Sequence, residues 1–335
     1  MKKVFITGVA GFLGSHLADQ FLADGIEVVG CDNFIGGYRD NVPEGVEFYP
    51  YDCSDIAEIR RVMKGCDVVY HCAALAHEGL SVFSPHTINR SIVDATVATI
   101  SAAIQNRVKR FVYCSSMARY GTQKTVPFTE DMTPLPQDPY GIGKYAGELF
   151  LKNLAETHGM EWVIVVPHNI IGPRQKYDDP YRNVVSIMIN RMLQGKQPII
   201  YGDGEQKRCF SYVGDDVVAL KQMATSEKVL GEIVNIGPDD EFVTINELAE
   251  IIAEVVDFKL DPIYLKDRPQ EVKLANCSAD KLRSLLDYDP KKRLRDVIVE
   301  MVAYVRERGP KPFTYHIDLE IINEKTPDSW KNKMF

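Results

Sequence analysis

The sequence has no C-x-x-C pair, no two histidines at ligand spacing and no apolar run near transmembrane length. It also has no excess of basic charge, no internal repeat and no low-complexity linker. Each absence excludes something. The seven cysteines, Cys31, Cys53, Cys66, Cys72, Cys114, Cys209 and Cys277, are odd in number and scattered beside apolar runs. That pattern predicts reduced, partly buried thiols in a cytoplasmic protein. The unpaired histidines predict no structural metal. A formal net charge of −8 disfavours nucleic acid and anionic membrane, which need a basic face. It leaves room for a small anion held by a local cluster of arginines. The opening "MKKVFITGVAGFLG" superficially resembles a signal peptide, but its glycines interrupt the apolar stretch and Asp19 and Asp24 follow, so that reading is rejected.

What is present is an alternation. "KVFIT", "EVVGC", "VEFYPYD", "DVVYHCA", "RFVYCSS" and "EWVIVVP" read as buried parallel strands. Helical patterns such as "SHLADQFLADG" and "DATVATISAAIQNRV" lie between them. This predicts an α/β fold with a doubly wound parallel sheet. The pattern changes after Pro167, where "NIIGPRQKYDDPYRN" reads as a loop, and later strands are short. Residues 1–166 are therefore expected to bind a nucleotide, and 167–310 to form a smaller C-terminal α/β substrate lobe with some segments returning to the first domain. Residues 311–335 form a tail with no assigned role.

The glycines Gly8, Gly11 and Gly14 are spaced G-x-x-G-x-x-G, not G-x-G-x-x-G. They still follow a strand and precede a helix. Glycines there permit a tight turn and close approach of backbone to a pyrophosphate, which the helix N-terminus attracts. Asp32 ends the next strand, 24 residues after Gly8. A carboxylate so placed accepts ribose hydroxyls and repels a 2′-phosphate, which favours NAD over NADP. Asp52 and Cys53, ending the third strand, are candidates to flank the adenine, although "YDCSD" also reads as a helix cap. In "DPYGIGKYAGE", Tyr140 and Lys144 stand four apart and share one face if the segment is helical. A nearby ammonium stabilises a phenolate, so such a pair suits alcohol-to-ketone chemistry. Ser115 and Ser116 close the fifth strand at the sheet edge where ligands bind. Either is a candidate to bond a reacting hydroxyl.

Together these residues resemble the extended short-chain dehydrogenase/reductase family, in particular its nucleotide-sugar epimerases and dehydratases. The family's T-G-x-x-G-x-x-G is matched by Thr7, Gly8, Gly11 and Gly14, its S-S-x-x-x-Y-G by Ser115 to Gly121, and its Y-x-x-x-K by Tyr140 and Lys144. The resemblance spans roughly residues 1–305. It implies a Rossmann sheet, NAD as cofactor, a UDP-sugar substrate and a homodimer. It implies Ser116, Tyr140 and Lys144 as the catalytic set. It places Phe12, Leu13, Asn33, Cys72, Ala73 and Ala74 with the glycines and Asp32 around NAD. Through "HNIIGPRQ", "IIYGDGEQKRCFSYV" and "DRPQEV" it implies substrate contacts from Asn169, Val184, Tyr201, Arg208, Arg268 and Glu271, with Met117 beside the sugar.

Departures narrow the activity. Where the dehydratases carry an Asp-Glu pair, this chain has Met117 and Ala118, which carry no proton. The decarboxylases' glutamate and the cysteine of the 3,5-epimerases and reductases are absent from the same loop. The remaining Ser–Tyr–Lys set is the equipment of a 4-epimerase. A net oxidoreductase is the near alternative, and a non-catalytic NAD sensor the distant one. Ile92 stands where the family often has asparagine, with Asn89 one turn earlier as a possible substitute. Arg119 and His168 replace apolar and aromatic residues near the sugar and could recognise a uronic acid carboxylate; Arg119 could equally face outward and pair with an acid. An ungapped alignment through Arg268 puts Ala275 beside the sugar C2 substituent, which predicts room for an N-acetyl group.

Overall fold

The computed structural model describes residues 1–269 and 275–335. Seven parallel strands form the central sheet. Six are β1 (Lys3–Thr7), β2 (Glu27–Cys31), β3 (Glu47–Tyr49), β4 (Val68–His71), β5 (Arg110–Cys114) and β6 (Glu161–Pro167). The strand Ile233–Ile236 joins them beside β6, and the spatial order is Ile233–Ile236, β6, β5, β4, β1, β2, β3. The order reverses between β1 and β4, where an open α/β sheet leaves a crevice at the carboxyl ends of its strands. "VEFYPYD" is shorter than its apolar run suggests, because only Glu47–Tyr49 pairs, at the sheet edge.

Both faces of the sheet are covered, so its strands are apolar without alternation. Val4 and Ile6 turn to one face, against Leu17 and Phe21 of helix α1 (Phe12–Ala23) and Leu220 of the Val213–Met223 helix. Phe5 turns to the other, with Ile59, Ile100 and Phe111. Each such side chain stabilises the fold by roughly 1.5–3 kcal/mol. A third core lies between the helices Val184–Leu193, Ile245–Val256 and Leu294–Arg308, around Met188, Leu248, Ile252 and Ile298. The helix Ile245–Val256 begins at a capping box of Thr244 and Glu247.

Two segments depart from the sequence reading. The helix expected from Asp94 is entered through a π-helical turn, Arg90–Asp94, continuous with the helix Pro85–Asn89. The wider turn packs Ile92 against Tyr140 and presents Ser91 to a large cavity. The segment 311–335, to which the sequence assigns no role, packs on the body of the fold. Ile317 and Trp330 are buried with Leu80, Phe83 and Tyr181. The backbone N–H groups of Glu320 and Ile321 both donate to the Phe83 carbonyl, and the Glu320 carboxylate accepts from His86 N and Thr87 N. Among the described residues no helix is long and apolar enough to cross a membrane.

Candidate active site

A cavity of about 470 Å³ runs along the carboxyl ends of β1, β2, β4 and β5 and under the loops of the C-terminal half. At one end the glycine turn is packed without slack. Gly8 has φ +72°, and a Cβ there would sit 3.0 Å from the Ala73 backbone. A Cβ on Gly14 would come within 2.3 Å of the Gly8 carbonyl. Helix α1 starts at Gly11 with no side-chain cap and no acidic residue in its first turn. Its free N–H groups and partial positive charge therefore face the cavity, a cradle that fits a pyrophosphate. Asp32 lines the same end. Its oxygens accept from Ala10 N at 3.1 Å and Phe34 N at 2.6 Å. Burial raises its pKa and these N–H groups oppose the rise. A carboxylate has about four lone-pair sites, so these bonds leave room to accept a ligand hydroxyl. Phe12, Leu13, Asn33, Asp52, Cys53, Cys72, Ala73 and Ala74 complete this end. Asn33 Nδ2 donates to Asp52 Oδ2 at 2.7 Å, and Ser54 donates to Asp52 Oδ1 through both N and Oγ; the helix Ile56–Val62 that follows is capped by Asp55, so the wall and the cap are different carboxylates.

In the middle lies the reactive set. Asp138 caps the helix Pro139–His158 by accepting from Gly141 N at 2.9 Å, with Pro139 in the first turn. Tyr140 and Lys144 are thus one turn apart on one face, as the spacing predicts. The helix reaches the sheet edge because it is glycine-rich on that side. A Cβ on Gly141 would meet the Ala118 carbonyl at 2.6 Å, and one on Gly147 the Tyr113 hydroxyl at 2.4 Å. Lys144 Nζ donates to the Cys114 carbonyl at 2.8 Å and lies 6.0 Å from the Tyr140 ring centre. Burial lowers the Lys144 pKa to about 8. Burial also raises the Tyr140 phenol above its ordinary value, opposed by a hydrogen bond with Ser116 and by the Arg182 charge. Ser116 Oγ accepts from Ala118 N at 3.2 Å.

The two serines are told apart here. Ser115 Oγ donates to Glu148 Oε1 at 2.5 Å, and Glu148 also pairs with Arg119 at 2.8 Å. That triad is internal: Arg119 is 2% exposed and Glu148 fully buried. Arg119 therefore pairs with an acid, but inward rather than at the surface. It does not line the cavity and cannot recognise a sugar carboxylate there. His168 is also buried away from the cavity, under Gly237, and burial pushes its pKa down to about 4. Asn89 donates to the Pro85 carbonyl in its own helix and lines nothing, so it does not replace an asparagine at position 92. Ala275 is buried with Tyr120, Phe128 and Cys277 on the sheet side, so the expected vacancy beside the sugar C2 is not at this residue. Glu271 lies outside the described residues.

The far end gathers Met117, Asn169, Val184, Tyr201, Arg208 and Arg268. Asn169 adopts φ +41°, and its Nδ2 donates to the Cys209 carbonyl at 3.1 Å. Arg268 stacks over Tyr201 at 4.7 Å. The Tyr201 hydroxyl lies 2.6 Å from Ser329 Oγ, and Phe335 lines the cavity beside them. The sequence reading missed these tail residues, whose only signal was a buried-type tryptophan in a polar stretch. It also missed Arg182, which lines the cavity, donates to the Gly36 carbonyl at 2.8 Å and lies 3.6 Å from Asp179. Asp179 in turn sits between His77 at 2.8 Å and His316 at 3.5 Å. Two histidines far apart in sequence thus meet on one carboxylate, a meeting that no local spacing announces.

Residues 4–237 match the NAD dependent epimerase/dehydratase family. A solved UDP-N-acetylglucosamine 4-epimerase from Methanobrevibacter ruminantium, in complex with UDP-N-acetylmuramic acid, is 32% identical with a TM-score of 0.85 over 92% of this chain and 99% of that one. A solved UDP-glucose 4-epimerase from Thermotoga maritima, with UDP-glucose, is 30% identical with a TM-score of 0.86, covering 91% and 99%. A UDP-N-acetyl-alpha-D-glucosaminuronate decarboxylase from Bacillus cytotoxicus is 31% identical over 91% of this chain and 98% of its own length.

Proposed function

The chain belongs to the NAD dependent epimerase/dehydratase family, and from that premise we propose that it is a UDP-sugar 4-epimerase acting on a UDP-hexose, UDP-N-acetylhexosamine or UDP-uronic acid. The observation that carries this reading is the loop after β5. It delivers Ser116 to Tyr140 and follows it with Met117 and Ala118, so neither of these two positions carries an acid or base for elimination or decarboxylation. The glycine turn, the uncapped α1 terminus and Asp32 would hold NAD, which would supply a reversible hydride acceptor for the sugar C4. Tyr140 takes the O4 proton, and Ser116, whose oxygen is fixed by Ala118 N, orients or relays it. Burial disfavours the Tyr140 phenolate, and Ser116 and Arg182 recover part of that cost. Lys144, tied to the Cys114 carbonyl, would hold the dinucleotide ribose. Arg208 and Arg268 hold the diphosphate while the oxidised sugar offers its other face. Met117, Asn169, Val184 and Tyr201 wall the sugar and base.

The decarboxylase relative makes loss of carbon dioxide the second reading. One experiment separates them. A panel of UDP-glucose, UDP-N-acetylglucosamine and their uronic acids is turned over in deuterated water and followed by NMR. The expected product is the C4 epimer with every carbon-bound position unlabelled and no net NADH. A pentose product, deuterium at C3, C5 or C6, or stoichiometric NADH would overturn the proposal.

A further inference from the structure

Cys72 and Cys114 are neighbours across the sheet. His71 pairs with Tyr113 in the β4–β5 ladder, so the next residues, Cys72 and Cys114, stand opposite each other. Adjacent strands lie about 4.8 Å apart, within the Cα separations a disulfide tolerates. The two sulfurs are 3.7 Å apart, and both line the cavity. The chemistry of Cys114 differs from that of the other cysteines. Burial pushes the Cys53, Cys66 and Cys209 thiols up to about 12, and Cys31 and Cys277 also rise. The Cys114 thiol is shifted down, by the Cys72 S–H against the effect of burial and with help from the Lys144 charge, while the same hydrogen bond and burial push the Cys72 thiol up. A thiolate is the form that reacts with peroxides.

We propose that Cys72 and Cys114 are an oxidation site, and that a hydroperoxide entering the cavity joins them in a reversible disulfide that inactivates the enzyme. The Cys114 thiolate attacks the peroxide; an S–O bond forms, the O–O bond breaks, and the alcohol or water leaves with a proton. The Cys72 sulfur then attacks Cys114; an S–S bond forms, the S–O bond breaks, and water leaves with the Cys72 proton. Two thiols and one hydroperoxide give one disulfide, one alcohol or water, and one further water. The bridge acts on what each cysteine carries. The Cys114 carbonyl anchors Lys144, and Ala73, next to Cys72, packs on Gly8. Drawing the sulfurs together disturbs both the lysine and the glycine turn. In a reducing compartment such a bridge is transient and is reopened by thiols.

This proposal rests on the reading that this end of the cavity holds NAD, because a bound dinucleotide would cover both sulfurs. The test treats protein stripped of nucleotide, and protein loaded with NAD, with hydrogen peroxide. Unreduced digests are searched by mass spectrometry for a linked Cys72–Cys114 peptide, and activity is followed in parallel. The linked peptide is expected in the stripped protein, in proportion to lost activity, with full return on adding dithiothreitol. NAD in excess is expected to slow linkage about tenfold or more. Cys114→Ala is expected to lose the link and the peroxide sensitivity of whatever activity it retains; if it fails to fold, Cys72→Ala is read in the same way. Sulfinic acid at either residue without linkage, links elsewhere, or inactivation preceding linkage would overturn the proposal. A protein that binds no NAD at all would sink the functional reading, whereas the linked peptide is scored without reference to NAD.

Discussion

At the proposed cofactor end of the cavity, Gly8, Asp32 and Cys72 each follow immediately on a strand of one sheet, so the ladder fixes where they point. At the proposed sugar end, Tyr201 closes a three-residue strand, Arg268 stacks on it from a loop, and Ser329 and Phe335 arrive from a segment more than 120 residues away. The first end is made of backbone geometry, and the second of side chains that meet by tertiary packing. A change at the first should therefore abolish chemistry or folding, whereas a change at the second should grade affinity.

The sharpest break in that comparison would come at Tyr140. Tyr140→Phe should lower kcat by ~10²–10⁴, the range of general acid–base catalysis, with UDP-sugar affinity by calorimetry nearly unchanged. Retention of more than about a tenth of the rate would remove Tyr140 as the base.

Next comes the triad behind the serines. Glu148→Ala leaves Arg119 as an unpaired buried charge, and should cost about 3–5 kcal/mol in denaturant unfolding. Arg119→Ala should be destabilising too, yet leave the ratio of kcat/KM for UDP-glucose and UDP-glucuronate unmoved. A shift in that ratio would return Arg119 to the sugar.

The pH dependence of Lys144 is intermediate. Burial lowers its pKa from 10.5 to about 8, so the folded chain releases this proton earlier than the unfolded one. Between those values the unfolded state binds more protons, and this group's contribution to stability rises with pH. Activity that needs the ammonium should do the opposite, falling about tenfold per pH unit above the Lys144 pKa. Opposed slopes in melting and kcat/KM, both flattened in Lys144→Met, would support the assignment; parallel slopes would refute it.

The smallest effect belongs to the tail. Ser329→Ala removes one hydrogen bond to Tyr201, worth about 0.5–1.5 kcal/mol. It should raise KM for the UDP-sugar a few-fold with kcat and NAD binding unaltered. A loss of NAD binding would show that the two ends are not separable.

The same division decides what was legible in the sequence. Gly8 to Gly14, Asp32, Tyr140 and Lys144 are read from spacing because strand–turn–helix geometry acts over a few residues. All of the residues expected around the cofactor do line the cavity. Arg119 was misplaced because the direction of a side chain three residues past Ser116 depends on Glu148, 29 residues on. His168 and Ala275 were misplaced for a like reason: their surroundings come from partners distant in sequence, Gly237 for His168 and Tyr120 and Phe128 for Ala275. Arg182 and the tail carry no motif, and their positions come from partners such as Asp179, Gly36 and Tyr201.

The return of residues 311–335 also bears on how the molecule assembles. Glu320 and Ile321 meet Phe83, and Glu320 caps the helix at His86, across more than 230 residues of chain. Contacts between such distant segments close large loops and form late. During refolding, competence to bind dinucleotide should therefore appear before competence to bind UDP-sugar, because the first draws on segments up to Lys144, and the second must wait for the last segment to dock.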